Sequence, residues 1–361
     1  MVLNTKPANT CQLDFLSLGE CMLRLSPPDF QRLEFAQQLE IYVGGAEYNV
    51  AYALARFGMR AGWVSRLPAH PLSSIILNHA RAAGMDVSEV ELVEYDGVGK
   101  ENRLGLNFVE VGAGARPSRS LYDRGHSAAS AINPGDVNWQ RIFAERGVRW
   151  FHTGGIFTAL SSSSVEVVKE AMQAAQQTGT LVSYDLNYRS RLWTSQQAIA
   201  ATRPLIRWVD VLFGNEEDFQ KVLGFEVKGI KKDYTDLKID SYKAMVRQVM
   251  ETYPHLKAVA TTFREAVSPS RNHWSAMLYL NGQFYQSRVY RDLEIVDRVG
   301  GGDGFCSGLI YALLNGFDAQ EAVDFGTAHG ALVQSTRGDT SMISLEEVKH
   351  LAAGGSFRIQ R

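Results

Sequence analysis

Apolar residues recur along this chain with two periods, and the points where one gives way to the other mark out its elements. Short, nearly continuous apolar runs rich in β-branched and aromatic residues predict strands at Leu13–Leu18, Gly62–Leu67, Arg149–Thr153, Leu181–Asp185, Val209–Phe213 and Ala258–Thr262. Between them, Ala46–Phe57 and Ser164–Thr178 space their apolar residues three and four apart, as a helix with one buried face requires. Ser163, with Glu166 three residues on, has capping-box spacing at the start of the second helix and accounts for the serine run without any chemistry. Strands alternating with helices predict an α/β fold with a mostly parallel sheet.

Two segments break the alternation. Arg32–Tyr42 and Glu101–Tyr122, the latter with two extended runs joined by the turn-forming GAGARP, predict a small β lid outside the main sheet. Val227–Asp240 is charged and poor in apolar residues, and reads as a solvated surface insertion.

Composition narrows the classes. With 45% hydrophobic residues, 21% charged residues and a mean hydropathy of −0.16, the 361 residues can bury a sizeable core. Thirty-seven Lys and Arg against 39 Asp and Glu leave a formal charge of −2, without the basic footprint that binds a phosphate backbone, so no nucleic-acid partner is expected. The first twelve residues lack the apolar core of a signal peptide and no run of about 18 apolar residues occurs, so neither export nor a membrane partner is expected. Cys11, Cys21 and Cys306 form no C-x-x-C pair, and the eight histidines have no ligand-like spacing, so neither a disulfide scaffold nor a zinc site is expected and a reducing cytoplasm is the simplest compartment.

The chemistry concentrates in Asp297-Arg-Val-Gly-Gly-Gly-Asp303, which runs straight into an apolar helical stretch. Three glycines opening a helix leave the first-turn amides bare, so Gly300, Gly301 and Gly302 can cradle an anion at the positive helix end. Asp303 would repel an anion unless its task is to take a proton from a hydroxyl while those amides stabilise a phosphoryl group in transit. A tight turn with Asp303 as a helix cap explains the same residues. No P-loop and no protein-kinase signature is present. Upstream, Gly44 and Gly45 lead into a helix bearing Asn49, which offers a donor and an acceptor to a polyol, or simply marks a strand-to-helix turn.

Six sequence patterns in one order carry a resemblance: GE-x-M-x-R-L-S-P-P (Gly19–Pro28), V-GGAE-x-N-V-A (Val43–Ala51), YDR-x-x-SA (Tyr122–Ala128), DLNYR (Asp185–Arg189), NEED (Asn215–Asp218) and DRVGGGD (Asp297–Asp303). Together they resemble the ribokinase-like, PfkB-type sugar kinases, from about residue 14 to about residue 350, and within that family the 2-keto-3-deoxygluconate kinases. The resemblance implies a single doubly wound α/β kinase domain over residues 1–361, with lid strands inserted at about 32–44 and 101–125. It implies ATP and Mg²⁺, and leaves a monovalent-cation requirement and a homo-oligomer through the lid open. Asp303 would be the catalytic base and Gly300–Gly302 the anion hole; Gly44, Gly45, Asn49 and Asn107 would line the sugar pocket. Tyr122, Arg124 and Arg189 match positions that contact the keto-deoxy acid, and a guanidinium suits a sugar acid because it meets a carboxylate bidentately.

On the nucleotide side the resemblance implies Asn215, Thr262, Arg264, Gly300, Gly302 and His329, with Thr262–Glu265 following a strand beside the phosphates and His329 near the base. Asp218 would hold Mg²⁺ through water where the family has glutamate. Val299 and Gly301 replace the family's usual threonine and alanine, and Asn107 stands where related kinases often carry tyrosine. The activity implied is phosphorylation of the primary hydroxyl of 2-keto-3-deoxygluconate. The rivals are a fructokinase or other neutral-sugar kinase, which Arg124 and Arg189 disfavour, and an inactive sugar-binding regulator, which an intact Asp303 and glycine triplet disfavour.

Overall fold

The computed structural model describes residues 3–225, 239–268 and 270–355. Among them the strands are β1 (Leu13–Leu18), β2 (Met22–Ser26), β3 (Glu40–Gly44), β4 (Ala61–Pro68), β5 (Val90–Val93), β6 (Leu106–Glu110), β7 (Arg119–Asp123), β8 (Val148–Gly154), β9 (Leu181–Asp185), β10 (Val211–Phe213), β11 (Ala258–Ser268), β12 (Arg271–Leu280), β13 (Gln283–Gln286) and β14 (Tyr290–Glu294). The helices are α1 (Ala46–Arg56), α2 (Pro71–Ala82), α3 (Gly155–Thr158), α4 (Ser162–Gln177), α5 (Ser195–Thr202), α6 (Glu216–Asp218), α7 (Ile239–Thr252), α8 (Gly301–Leu314), α9 (Ala319–Val333) and α10 (Leu345–Ala352).

The larger sheet runs β13-β12-β11-β10-β9-β8-β1-β4-β5, with β14 also paired to β12. Every pairing from β5 to β11 is parallel, and the antiparallel strands lie at the other edge. This is a doubly wound α/β fold, because helices cover both faces and each central strand feeds two cores. In β10, Val211 and Phe213 point to the face carrying α1, α8 and α9, and Leu212 points to the face carrying α4, α5 and α7. Burial on both faces is why these strands appear as unbroken apolar runs rather than alternating ones.

The second sheet runs β3-β2-β6-β7. The predicted lid therefore exists, with corrections. Of Arg32–Tyr42 only the end from Glu40 is strand, Leu33–Phe35 forming a 3₁₀ turn. Met22–Ser26, a short and only partly apolar segment, supplies the central strand. The capping box at Ser163 is also corrected: Ser161 is the cap and accepts from the Ser164 amide, while Glu166 pairs with Lys169 at the helix surface. Strand β10 begins at Val211, and β11 continues to Ser268, so Thr262–Glu265 lie inside a strand that pairs with β12 and not in a loop after it. The predicted insertion 227–240 falls outside the described residues except for Ile239 and Asp240, which open α7.

Helix α8 is buried along nearly its whole length and lies against α9 through paired glycines. A Cβ on Gly308 would sit 2.9 Å from the Cα of Gly326, and one on Gly330 would sit 2.7 Å from the Gly301 carbonyl oxygen. The close approach fixes where the amino end of α8 stands. Gly308→Val should therefore lower the unfolding free energy by about 1–3 kcal/mol through overpacking, and urea denaturation with an unchanged midpoint would show that the helices have room to separate.

Candidate active site

One elongated cavity of about 750 Å³ runs between the carboxyl ends of the parallel strands and the small sheet. This is where an open α/β sheet presents its strand ends to ligands. Asp303, in the first turn of α8, stands in its wall with Gly300, Gly301 and Gly302. Gly300 is at φ 86°, and a Cβ there would lie 2.5 Å from the Asp339 carbonyl oxygen, so glycine is required on both counts. A Cβ on Gly302 would meet nothing within 4 Å. No side chain caps α8, so its first-turn amides remain available to an anion.

Asp303 is oriented by a short relay. The Gly45 amide donates to Asn49 Oδ1 at 3.3 Å, which fixes the amide group, and Asn49 Nδ2 donates to Asp303 Oδ2 at 2.6 Å. Burial pushes the Asp303 carboxyl up to about 6, while the Asn49 bond and the positive charge of Arg189 oppose the shift. A carboxylate with that affinity, facing a cavity beside bare amides, can accept a proton from a hydroxyl next to a site for negative charge.

The small sheet presents a cross-strand row to the cavity. Arg24 pairs in register with Tyr42 on one side and Asn107 on the other, and Asn107 pairs with Tyr122. Asn107 is 6% exposed and its Oδ1 has no partner, so it is free to accept from a ligand. Arg24 is 2% exposed and joins the lid to the glycine loop: Nη2 donates to Asp297 at 2.6 Å and Nη1 to Asp339 at 3.2 Å. Asp297 also accepts from the Val299 and Gly338 amides. Burial pushes Asp339 up to about 6 against the pull of Arg24.

Gly44 and Gly45 line the cavity, and protein fills the space that side chains there would need: a Cβ would strike Asp339 at 2.4 Å and the Glu20 carbonyl oxygen at 2.0 Å. Arg124 lies over the Tyr122 ring and is ion-paired with Glu20, so its guanidinium is already neutralised. His329, expected near the base, does not line the cavity. It is fully buried between α8 and α9, and because a carbonyl can only accept, its Nδ1 donates to Gly304 O at 2.7 Å while Nε2 accepts from Ser341 at 2.7 Å. Burial pushes its pKa down to about 4, so it is a neutral core histidine.

Arg189, Asn215, Asp218, Thr262 and Arg264 all line the cavity. Arg189 donates to its neighbour's carbonyl and forms no ion pair among the described residues. Asp218 accepts from the Tyr188 and Asn215 amides at 2.8 and 2.9 Å, and Asn215 accepts in return from the Glu217 and Asp218 amides, so NEED is a capping box that pins two loops together. Residues that the sequence reading left without a role also stand here: Arg24, Asp185, Glu20 and Arg298 in the cavity wall, and Glu47 behind it. Each lies within a quoted family pattern, which was the available signal. Burial and the charges of Asp218 and Asp303 push Asp185 well up, and burial pushes the unpartnered Glu47 up to about 8.

A family model described as pfkB family carbohydrate kinase matches residues 12–346. The chain is 30% identical over 348 residues to 2-dehydro-3-deoxygalactonokinase of Haloferax volcanii, covering 96% of this chain and 99% of that one. It is 25% identical over 341 residues to 5-dehydro-2-deoxygluconokinase of Clostridium perfringens, covering 94% and 92%. The crystal structure of 2-dehydro-3-deoxygluconokinase from Thermotoga maritima superposes with a TM-score of 0.88 at 39% identity, covering 95% of this chain and all of that one.

Removing Arg24 would strand two buried carboxylates. Arg24→Met is expected to lower the unfolding free energy by about 3–5 kcal/mol near pH 8. The loss should be smaller at pH 5, where Asp339 can take a proton. Chemical denaturation at both pH values checks this; an equal loss at both, or none, rules out the ion triad as the anchor of β2.

Proposed function

This chain belongs to the pfkB family of carbohydrate kinases, and from that premise we propose that it moves the γ-phosphoryl group of ATP onto the primary hydroxyl of 2-keto-3-deoxygluconate, giving 2-keto-3-deoxy-6-phosphogluconate and ADP. The observation that carries the acid assignment is Arg189, a guanidinium without an ion-pair partner among the described residues, in the same cavity wall as Asp303. An acceptor carboxylate would meet it as a fork, and a neutral sugar would leave it unmatched. The names of the three similar proteins given above, each a kinase of a dehydro-deoxy sugar acid, support that class.

In this reading the acceptor lies under the lid row of Asn107 and Tyr122, with its carboxylate toward Arg189. Asp303, held by Asn49, takes the hydroxyl proton as the oxygen attacks, and the amides of Gly300–Gly302 stabilise the charge on the transferring group. No cluster of three or more His, Cys, Asp or Glu among the described residues could itself hold a metal. That fits Mg²⁺ arriving on the donor phosphates, with Asp218 and the neighbouring Asp185 holding its water shell. Bound there, the ion would neutralise phosphate charge. Three buried free thiols suit a reducing, cytoplasmic compartment.

One observation favours the neutral-sugar alternative: Glu20 already neutralises Arg124, so acid selection falls on Arg189 alone.

Asp303→Asn should cost on the order of 10²–10⁴ in kcat with folding and ATP binding retained; a variant keeping more than about a tenth of the wild-type kcat rules out the base. Burial raises this carboxyl to about 6 and only its ionised form can accept a proton, so kcat/KM should climb as pH rises through about 6 and level off above it. A climb centred near 4 would mean that the working base is an unshifted carboxylate.

Arg189→Ala should raise KM for 2-keto-3-deoxygluconate roughly ten- to a hundred-fold while leaving fructose turnover unchanged. If wild type phosphorylates fructose at least as efficiently as the acid, or the variant alters both acceptors alike, the acid assignment fails and the kinase assignment stands.

A further inference from the structure

Two guanidiniums without ion-pair partners among the described residues stand in the cavity wall, where Glu216, Glu217 and Glu265 also lie. Arg298, next to Asp297 in the glycine loop, and Arg264, in β11, both line the cavity, and among the described residues neither forms an ion pair. Arg298 is held in place by one bond, Nη2 to the Ser268 carbonyl oxygen at 3.0 Å at the tip of the β11–β12 hairpin, and its buried Nε has no partner. Burial, and after it the nearby charge of Arg264, holds the Arg298 guanidinium below its ordinary value. The acidic group that Arg264 faces is Glu216, which it stabilises without forming an ion pair.

Like charges confined together with unused donors destabilise an empty site and are relieved only when an anion enters. The uncapped amides at the start of α8 belong to the same loop as Arg298 and add further donors. A single carboxylate can satisfy one fork. Two forks and a helix end ask for an anion carrying several charges along a chain, which is the chemistry of a polyphosphate. Asp303 is bonded to Asn49 in α1, whereas Arg298 is bonded to Ser268 at the end of β11, and we place this cluster on the donor side of the reacting centre.

Resting on the kinase reading, we propose that Arg298 and Arg264 clamp the polyphosphate chain of the phosphoryl donor, making Arg298 a donor-binding residue that reads phosphate rather than base. Inorganic tripolyphosphate, which has no base, should then bind in the absence of acceptor, compete with ATP and weaken steeply with added salt.

The test is titration calorimetry of the whole chain with ATP and, separately, with tripolyphosphate, alongside steady-state kinetics, for wild type, Arg298→Met, Arg298→Lys and Arg264→Gln. Arg298→Met and Arg264→Gln should each weaken both anions roughly ten- to a hundred-fold, with Arg298→Lys recovering part of the loss and KM for the sugar acid staying within about twofold. Wild-type affinity for both anions in Arg298→Met, or equal losses of anion and acceptor affinity, overturns the clamp. If Arg298→Met does not fold, Arg264→Gln decides, because the Arg264 side chain makes no hydrogen bond among the described residues. ATP binding that weakens while tripolyphosphate never binds would also overturn it, since the base would then carry recognition. A wild type that neither binds ATP nor transfers phosphate overturns the kinase reading itself, whereas an active wild type matched by Arg298→Met overturns the clamp alone.

Discussion

A guanidinium that is 2% exposed must find its counter-charges inside the protein, and Arg24 finds them on two segments far away in sequence, at Asp297 and Asp339. That requirement sets the geometry of the cavity. It places β2 over the start of the glycine loop, so the lid and the anion cradle are positioned by one interaction. It also holds Asp339 where its backbone carbonyl closes on Gly300 and its side chain closes on Gly44. The freedom left to the small sheet lies away from β2, toward β7, whose residues are largely exposed.

The second constraint is crowding of like charge. Asp185, Asp218, Asp303 and Glu47 all have carboxyls raised by burial, and Asp185, Asp218 and Glu47 each feel at least one other carboxylate. For Asp303 the move from 3.8 to about 6 corresponds to roughly 3 kcal/mol between its two protonation states. A carboxyl raised to about 6, if it serves as the base, would be ionised at neutral pH yet hold a proton better than an ordinary aspartate. Arg189 reaches this cluster as a positive charge without a tight partner, so an arriving carboxylate is not competing with a protein carboxylate for it.

Strand and helix cores were legible because parallel strands buried on both faces are apolar throughout, and because α1 and α4 keep a helical period. The glycine loop was legible only beside the other five patterns, because three glycines before an apolar helix also suit a tight turn. What stayed hidden has definite causes. Met22–Ser26 was missed as a lid strand because it is short and only partly apolar, with Leu23 packed into the core of the main sheet. The enclosure of His329 was hidden because a helical pattern does not say which face is covered, and α9 is buried along most of its length. Arg124 looked free because its partner Glu20 lies 104 residues away. Arg24 and Arg298 lay inside recognisable patterns, but their roles arise from pairings that only the folded chain creates.

Two of the similar proteins are named for 2-dehydro-3-deoxygluconate and 2-dehydro-3-deoxygalactonate, acids that share a carboxylate, a keto group and a terminal hydroxyl and differ in the configuration of a hydroxyl. Arg189 cannot tell them apart, because the carboxylate it would read is common to both. Discrimination must come from a neutral group with an unfilled hydrogen-bonding site at a fixed place, since a buried polar atom left unpaired by the wrong epimer costs far more than a lost apolar contact. Asn107 meets those conditions: it is buried, held in register between Arg24 and Tyr122, and has an unpartnered Oδ1. Acid class and sugar configuration would then be read by different elements, the first by the loop after β9 and the second by the lid. The two could then change independently within one fold, and likeness in the glycine loop alone would not fix the acceptor of a kinase of this family.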